Sequence, residues 1–270
     1  AAYFGKIQSL CTNFNYVRPA WKKNAEEELL LGVDVTGHAD CPLLRFGAPN
    51  RAELLRKLRE TVAEVDASLS PRFGCGLSAA NTTIKPAGDS SELFACASGA
   101  SPRFGAQQIR RFRESKISPV ANFLIASGVP HETAMEDDGL WAFSFPKKAP
   151  VGSTLREDMS AADQIHNWLE WKGNYAEHSV SVTVYVKDHE WPEVQSLVWK
   201  HFDEITCLSF LPWDNGSYRT VPNEVLTIEE YEKFAATFPE LHWAKLSQYE
   251  VEDSTYMNRA MACKGDNCEL

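Results

Sequence analysis

The chain has 270 residues, 44% hydrophobic and 24% charged, and its 27 Lys and Arg against 37 Asp and Glu leave a formal charge of −10. Such a composition can bury a core and excludes a disordered chain, and the acidity excludes a nonspecific binder of nucleic-acid polymers, which needs a basic face. Binding of single nucleotides stays open, because such sites rest on a few backbone amides and local charges.

Taken in chain order, Pro19 to Leu31 is acidic and Leu-rich, with Gly32 where a helix would stop. Asn50 is placed to cap a second helix running to about Leu69, in which Leu54, Leu55, Leu58, Val62 and Val65 recur at helical spacing. Thr82-Thr83-Ile84-Lys85 predicts a short strand, Pro86 and Gly88 a tight loop, and the run from Leu93 a helix. Leu140 to Phe145 reads as a strand and Ala161 to Trp171 as a helix with Ile165, Trp168 and Leu169 on one side. The clearest strand is Ser179 to Lys187, where Val180, Val182, Val184 and Val186 alternate with Ser181, Thr183 and Tyr185. Trp191 to Ile205 is helical, Cys207 to Trp213 is a short apolar strand, and Asp214-Asn215-Gly216 signals a turn. Thr227 caps a last helix with Glu229 and Glu230 in its first turn, where carboxylates suit the helix dipole. Strands alternating with helices predict an α/β fold with parallel strands over residues 1–249. Periodicity then ends, and the acidic, polar stretch 250–270 reads as a mobile tail.

No apolar run reaches the roughly 18 residues of a membrane span, and the start Ala1-Ala2-Tyr3-Phe4-Gly5-Lys6 is not that of a signal peptide. Seven Cys, scattered at 11, 41, 75, 96, 207, 263 and 268, indicate a reducing compartment, hence the cytoplasm, and not a disulfide scaffold.

Three constellations could carry chemistry. Cys263 and Cys268, separated by four residues beside Gly265, can close a small disulfide loop and exchange with other thiols from the end of a flexible segment. The same pair could be incidental, or half of a zinc site, although no second Cys or His pair lies nearby. In Pro86-Ala87-Gly88-Asp89-Ser90-Ser91, a glycine, two hydroxyls and the amides of a helix start form an anion site, or else an ordinary helix cap. Arg110-Arg111-Phe112-Arg113 reads as a solvated helix face with Glu114 as partner. The seven His show no metal-like spacing, and no metal site is expected.

In this order the pieces resemble the C-terminal portion of a ribonucleotide reductase. Leu31-Gly32-Val33-Asp34-Val35-Thr36-Gly37 is similar to the family's Gly-small-Thr/Ser-Gly segment, and Thr82 to Gly88 to its strand and phosphate-holding loop. Gly99-Ala100-Ser101-Pro102-Arg103-Phe104-Gly105 resembles its Gly-x-x-Pro stretch, and Ile109 to Arg113 the segment next after that stretch. Residues 179–233, with Leu211-Pro212-Trp213 and Thr227 to Lys233, are similar to late barrel strands and helices, and the terminal Cys-x4-Cys to the family's shuttle pair. The late strand Leu208 to Trp213 lacks the two adjacent tyrosines of class I subunits. That points to class II, the adenosylcobalamin-dependent enzymes, and to their monomeric, triphosphate-reducing branch.

The resemblance implies the C-terminal part of a ten-stranded α/β barrel plus a redox tail. It implies a ribonucleotide whose phosphates sit on Ala87, Gly88, Asp89, Ser90 and Ser91, and a shuttle of Cys263 and Cys268 re-reduced by a thioredoxin-like partner. Two departures stand out: Asp89 occupies a place where the family has Thr or Ser, and the radical-bearing Asn-Pro-Cys-Gly-Glu occurs nowhere in the chain. A chain starting after that loop would need an N-terminal reductase polypeptide as partner. The rival readings are a non-catalytic nucleotide-binding or regulatory fragment and a zinc-binding interaction protein.

Overall fold

The structure, a computed structural model, describes residues 1–14, 16–135, 137–213 and 220–250, so the expected turn at Asp214-Asn215-Gly216 and the Cys263–Cys268 tail lie outside the described residues. In chain order come α1 (Ala2–Ser9), α2 (Pro19–Glu28), β1 (Val33–Asp34), α3 (Arg51–Phe73), β2 (Thr82–Thr83), α4 (Gly88–Leu93), β3 (Gln107–Ser115) and α5 (Pro119–Ala126). They are followed by β4 (His131–Thr133), β5 (Leu140–Lys148), α6 (Ala161–Asn174), β6 (Val182–Val186), α7 (Trp191–Lys200), β7 (Leu208–Pro212), β8 (Asn223–Val225) and α8 (Ile228–Thr237). Residues 1–104 and 149–213 form one compact unit, and the other described residues, 105–148 and 220–250, belong to a second.

The first unit is the parallel α/β structure that the alternation predicts. β1 pairs with β2 in the register Val33↔Thr82, Ile84 bridges to Val180, and β6 pairs with β7 from Val182↔Leu208 to Val186↔Pro212, all parallel. Val180, Val182, Val184 and Val186 turn one face of this sheet onto Leu55 of α3, Ile165, Trp168 and Trp171 of α6, and Val194 of α7. Each such buried side chain contributes about 1.5–3 kcal/mol relative to exposure. The indole Nε1 of Trp168 donates to the Val180 carbonyl at 2.6 Å, satisfying its polar atom inside the core. The other face carries the intervening hydroxyls, where Thr183 Oγ1 and Ser209 Oγ meet at 3.0 Å.

Helix α1 is fastened to α3 by a buried ion pair. Lys6 Nζ lies 2.6 Å from Asp66 Oδ1 and also donates to the Gly76 carbonyl at 3.0 Å and to Ser78 Oγ at 3.3 Å. Burial alone would raise the Asp66 carboxyl. The hydrogen bonds from Lys6 and Ser78 and the Lys6 charge outweigh it and hold the group below its ordinary value of 3.8. Replacing Lys6 by Met would strand a buried carboxylate, an expected loss of about 3–5 kcal/mol in urea unfolding at neutral pH. Because the folded value is depressed, the wild-type contribution is complete above pH 3.8 and disappears as pH falls through the lower folded value. Stability of Lys6→Met should therefore fall less steeply with acid than that of wild type.

The second unit departs from the parallel expectation: its sheet, ordered β4-β5-β3-β8, is antiparallel throughout. Phe143 of β5 packs with Phe123 and Leu124 of α5, and Phe145 and Phe238 join the same cluster. Here the expected helix face of Arg110 to Arg113 is corrected, because those residues lie on β3. Arg110 Nη1, Arg111 Nη1 and Arg113 Nη2 donate to the carbonyls of Pro222, Val221 and Thr220 at 3.3, 3.1 and 3.1 Å. Arg111 also pairs with Glu224 at 2.5 Å. Nine residues of pairing with β5 set the strand, and the guanidinium stems mask the period-2 pattern by which it would be read. The Thr227 cap is as expected: its Oγ1 accepts the Glu230 N–H at 3.2 Å and the Glu230 carboxylate accepts the Thr227 N–H at 2.9 Å.

Several element ends differ from the sequence reading. The helix expected in the run from Leu93 lies ahead of it instead, since α4 runs Gly88–Leu93 and ends there. Helix α2 stops at Glu28 with Leu29 left-handed at φ 46°, not at Gly32. Asn50 sits at φ 57° with no capping side-chain bond, and α3 continues past Leu69 to Phe73, where Gly74 (φ 64°) ends it. Helix α7 stops at Lys200, short of Ile205. Among the described residues no helix is long and apolar enough to cross a membrane.

Candidate functional site

Parallel α/β sheets hold ligands outside the carboxyl ends of their strands. In the first unit β1 runs on through Val35-Thr36-Gly37 into a short 3-10 turn, His38–Asp40, while β2 runs on through Lys85 to Ala87 into α4. Asp34 joins the two exits, its Oδ1 accepting the Lys85 N–H at 3.0 Å. Burial raises the Asp34 carboxyl, with the Lys85 and Val35 amides and the Lys85 charge pulling against it.

Residues 96–100 form a shelf under both exits. Thr36 Oγ1 donates to the Ala97 carbonyl at 2.9 Å and accepts the Gly99 N–H at 3.1 Å, and the Gly37 N–H reaches Ala97 O at 2.8 Å. His38 Nδ1 donates to the Gly99 carbonyl at 2.5 Å, with its ring edge-on to Trp171 at 5.6 Å. Burial lowers His38 to about 4, opposed by the Gly99 bond and aided by Arg51, so the ring is neutral at physiological pH. Asp40 accepts the Ala97 N–H at 2.7 Å and grips Arg103 through Nε at 2.9 Å and Nη2 at 2.8 Å. From the shelf, Ser98 Oγ bonds the Pro86 carbonyl, and Gly99 (φ +49°) lies so close to Lys85 that a Cβ there would collide with its carbonyl oxygen.

The loop expected to hold phosphate rests on this shelf. Ala87, at φ 52° and ψ 43°, takes the left-handed bend at the helix N-cap, and no side chain caps α4. Gly88, Asp89 and Ser90 lie in the open first turn, whereas Ser91 is buried with its hydroxyl on the Gly88 carbonyl at 3.2 Å. Nothing lies within 4 Å of where a Gly88 Cβ would stand, so that side of the turn is open. The Asp89 carboxylate shares that turn and opposes an anion there.

Sequence reasoning names the loop but not its supports, Thr36, His38, Asp40, Ser98 and Arg103. Gly37 and Gly99 stand in two of the family-like segments, yet nothing in the linear order says that residues about 60 apart meet. Cys263 and Cys268 lie outside the described residues. Among those described, no group of three or more His, Cys, Asp or Glu could hold a metal ion.

Parallel strands backed by helices, with a loop and helix start at the strand ends, define the first unit as an α/β structure. A solved B12-dependent class II ribonucleotide reductase matches this fold with a TM-score of 0.75, covering 85% of this chain and 36% of that one at 23% identity. By sequence, the chain is a relative of the adenosylcobalamin-dependent ribonucleoside-triphosphate reductases. It is 29% identical over 186 residues to that of Lactobacillus delbrueckii subsp. bulgaricus, covering 67% of this chain and 25% of the relative. To that of Levilactobacillus brevis it is 25% identical over 238 residues, 85% of this chain and 31% of the relative. No family model matches the chain. The chain thus spans about a quarter to a third of the length of the relatives it matches. Cavities of 440, 530 and 660 Å³ open among the described residues.

Proposed function

We propose that the chain is the C-terminal portion of a class II ribonucleotide reductase, supplying the substrate-phosphate loop and the thiol relay. The observation that carries this reading is the kinship with triphosphate reductases over 67–85% of the chain, joined to a loop anchored at the strand ends. Ala87, Gly88 and Ser90 hold phosphate oxygens through first-turn amides and a hydroxyl, and Ser91 supports the turn from below. Cys263 and Cys268 reduce a disulfide formed elsewhere in the complete enzyme. Two electrons and two protons pass to that disulfide while the pair itself becomes a disulfide, later reopened by a thioredoxin-like dithiol.

The complete enzyme replaces the ribose 2′-hydroxyl by hydrogen through a thiyl radical. That radical resides on a Cys these 270 residues do not contain, since Asn-Pro-Cys-Gly-Glu is absent. Adenosylcobalamin accordingly belongs to the complete enzyme. The partner is a polypeptide bearing that motif, and the cytoplasm is the compartment in which the relay stays reduced.

The test is reconstitution. Mixing this chain with a polypeptide carrying Asn-Pro-Cys-Gly-Glu, adenosylcobalamin, a dithiol and a ribonucleoside triphosphate should yield deoxynucleotide, and the chain without that polypeptide should yield none. Product from the chain alone would overturn the division of labour. Its absence from every mixture that shows association of the two polypeptides would overturn the reductase reading.

A further inference from the structure

A basic recess in the first unit gathers residues ahead of β1, β6 and β7 together with Lys85, which follows β2. It has a volume of about 530 Å³ and is lined by Gly32 ahead of β1, Thr83 of β2, His178 and Ser179 ahead of β6, Thr206 ahead of β7, and two lysines, Lys85 and Lys172. The one carboxylate in its lining, Glu177, is turned to other partners. Its Oε2 accepts the Asn81 N–H at 2.7 Å and its Oε1 pairs with Arg59 at 3.3 Å. Lys172 Nζ donates to the carbonyls of Glu177 at 3.1 Å and His178 at 3.0 Å, which uses two of its three N–H groups and neutralises none of its charge. His178 Nε2 is bonded to the Leu31 carbonyl at 2.6 Å. The carboxylate that acts on the Lys85 charge is Asp34, which lines the neighbouring recess. In a chain of net charge −10 this concavity therefore carries excess positive charge beside the hydroxyls of Thr83, Ser179 and Thr206.

We propose that this recess binds an oxyanion-bearing small molecule, its phosphate or carboxylate group held by Lys85 and Lys172. The third N–H of Lys172 and the ammonium of Lys85 supply charge-assisted donors, and the apolar Leu30 and Leu31 in the lining pack against the rest of the ligand. Lys85 leads into the phosphate loop, but none of residues 86–91 lines this recess.

Titration calorimetry of the 270-residue chain with inorganic phosphate, and separately with acetate, tests it. Thr206 is exposed, so Thr206→Glu adds a negative charge to the recess without disturbing the core. It should weaken anion binding by about tenfold, a size set by one like charge a few ångströms away. Lys172→Met should do at least as much, and Gly88→Asp in the loop should leave this binding in place. Phosphate without acetate would assign a phosphate ligand, and acetate binding a carboxylate. Saturable binding unchanged in Thr206→Glu and Lys172→Met, with melting temperatures intact, would overturn the proposal, as would binding that Gly88→Asp alone abolishes.

Discussion

Gly99→Ala is expected to destabilise the first unit by about 2 kcal/mol or more and to cut nucleoside-triphosphate affinity at least tenfold. Two effects add at this position. A left-handed φ of +49° is unfavourable for any residue with a Cβ, at roughly 1–3 kcal/mol. The Cβ would also be driven into the Lys85 carbonyl, backbone that can retreat only by moving the loop it leads into. Gly74→Ala is the matched control. Its φ of +64° carries the same backbone cost, but nothing lies within 4 Å of the added carbon. Chemical unfolding should show both variants weakened, Gly99→Ala more so, and only Gly99→Ala should lose nucleotide. Equal triphosphate affinity in the two would mean that the shelf of residues 96–100 does not set the loop.

The other large effect is on the relay. Cys263→Ser and Cys268→Ser should each abolish reduction of an added disulfide substrate under a thioredoxin system, because either loss prevents the intramolecular disulfide that releases the mixed intermediate. The double variant should be no worse than either single one, and Cys96→Ser should behave as wild type. Stopped exchange assays would decide it. A single variant retaining wild-type turnover would show that the two sulfurs do not work as a couple.

How much can be read from the residues varies from element to element. The strand at Val182–Val186 is legible because every second valine must face a core, and the Thr227 helix because cap and first-turn carboxylates lie within four residues of each other. Strand β3 reads wrongly as a helix because its arginines spend their length on carbonyls of residues 220–222, more than a hundred positions away. The division into units is hidden for the same reason. The stretch 105–148 leaves the parallel fold and the chain returns to it at 149, and no composition change marks either crossing.

The loop shows the boundary most sharply. Local chemistry alone points to a turn and helix start at residues 86–91, since Pro, Gly and Ser act on their own backbone. The fold places the left-handed conformation on Ala87 and leaves Gly88 helical and open. Only tertiary structure brings His38, Ser98 and Gly99 beneath that loop, and only there does burial keep His38 neutral and able to donate through a single nitrogen. Short-range order is therefore set by the residues themselves: strand faces, caps, the acidic balance and the Cys-x4-Cys spacing. Which groups meet, and so which charges are compensated and which glycine is irreplaceable, is decided by packing between segments distant in the chain, where desolvation and contact do not depend on linear order.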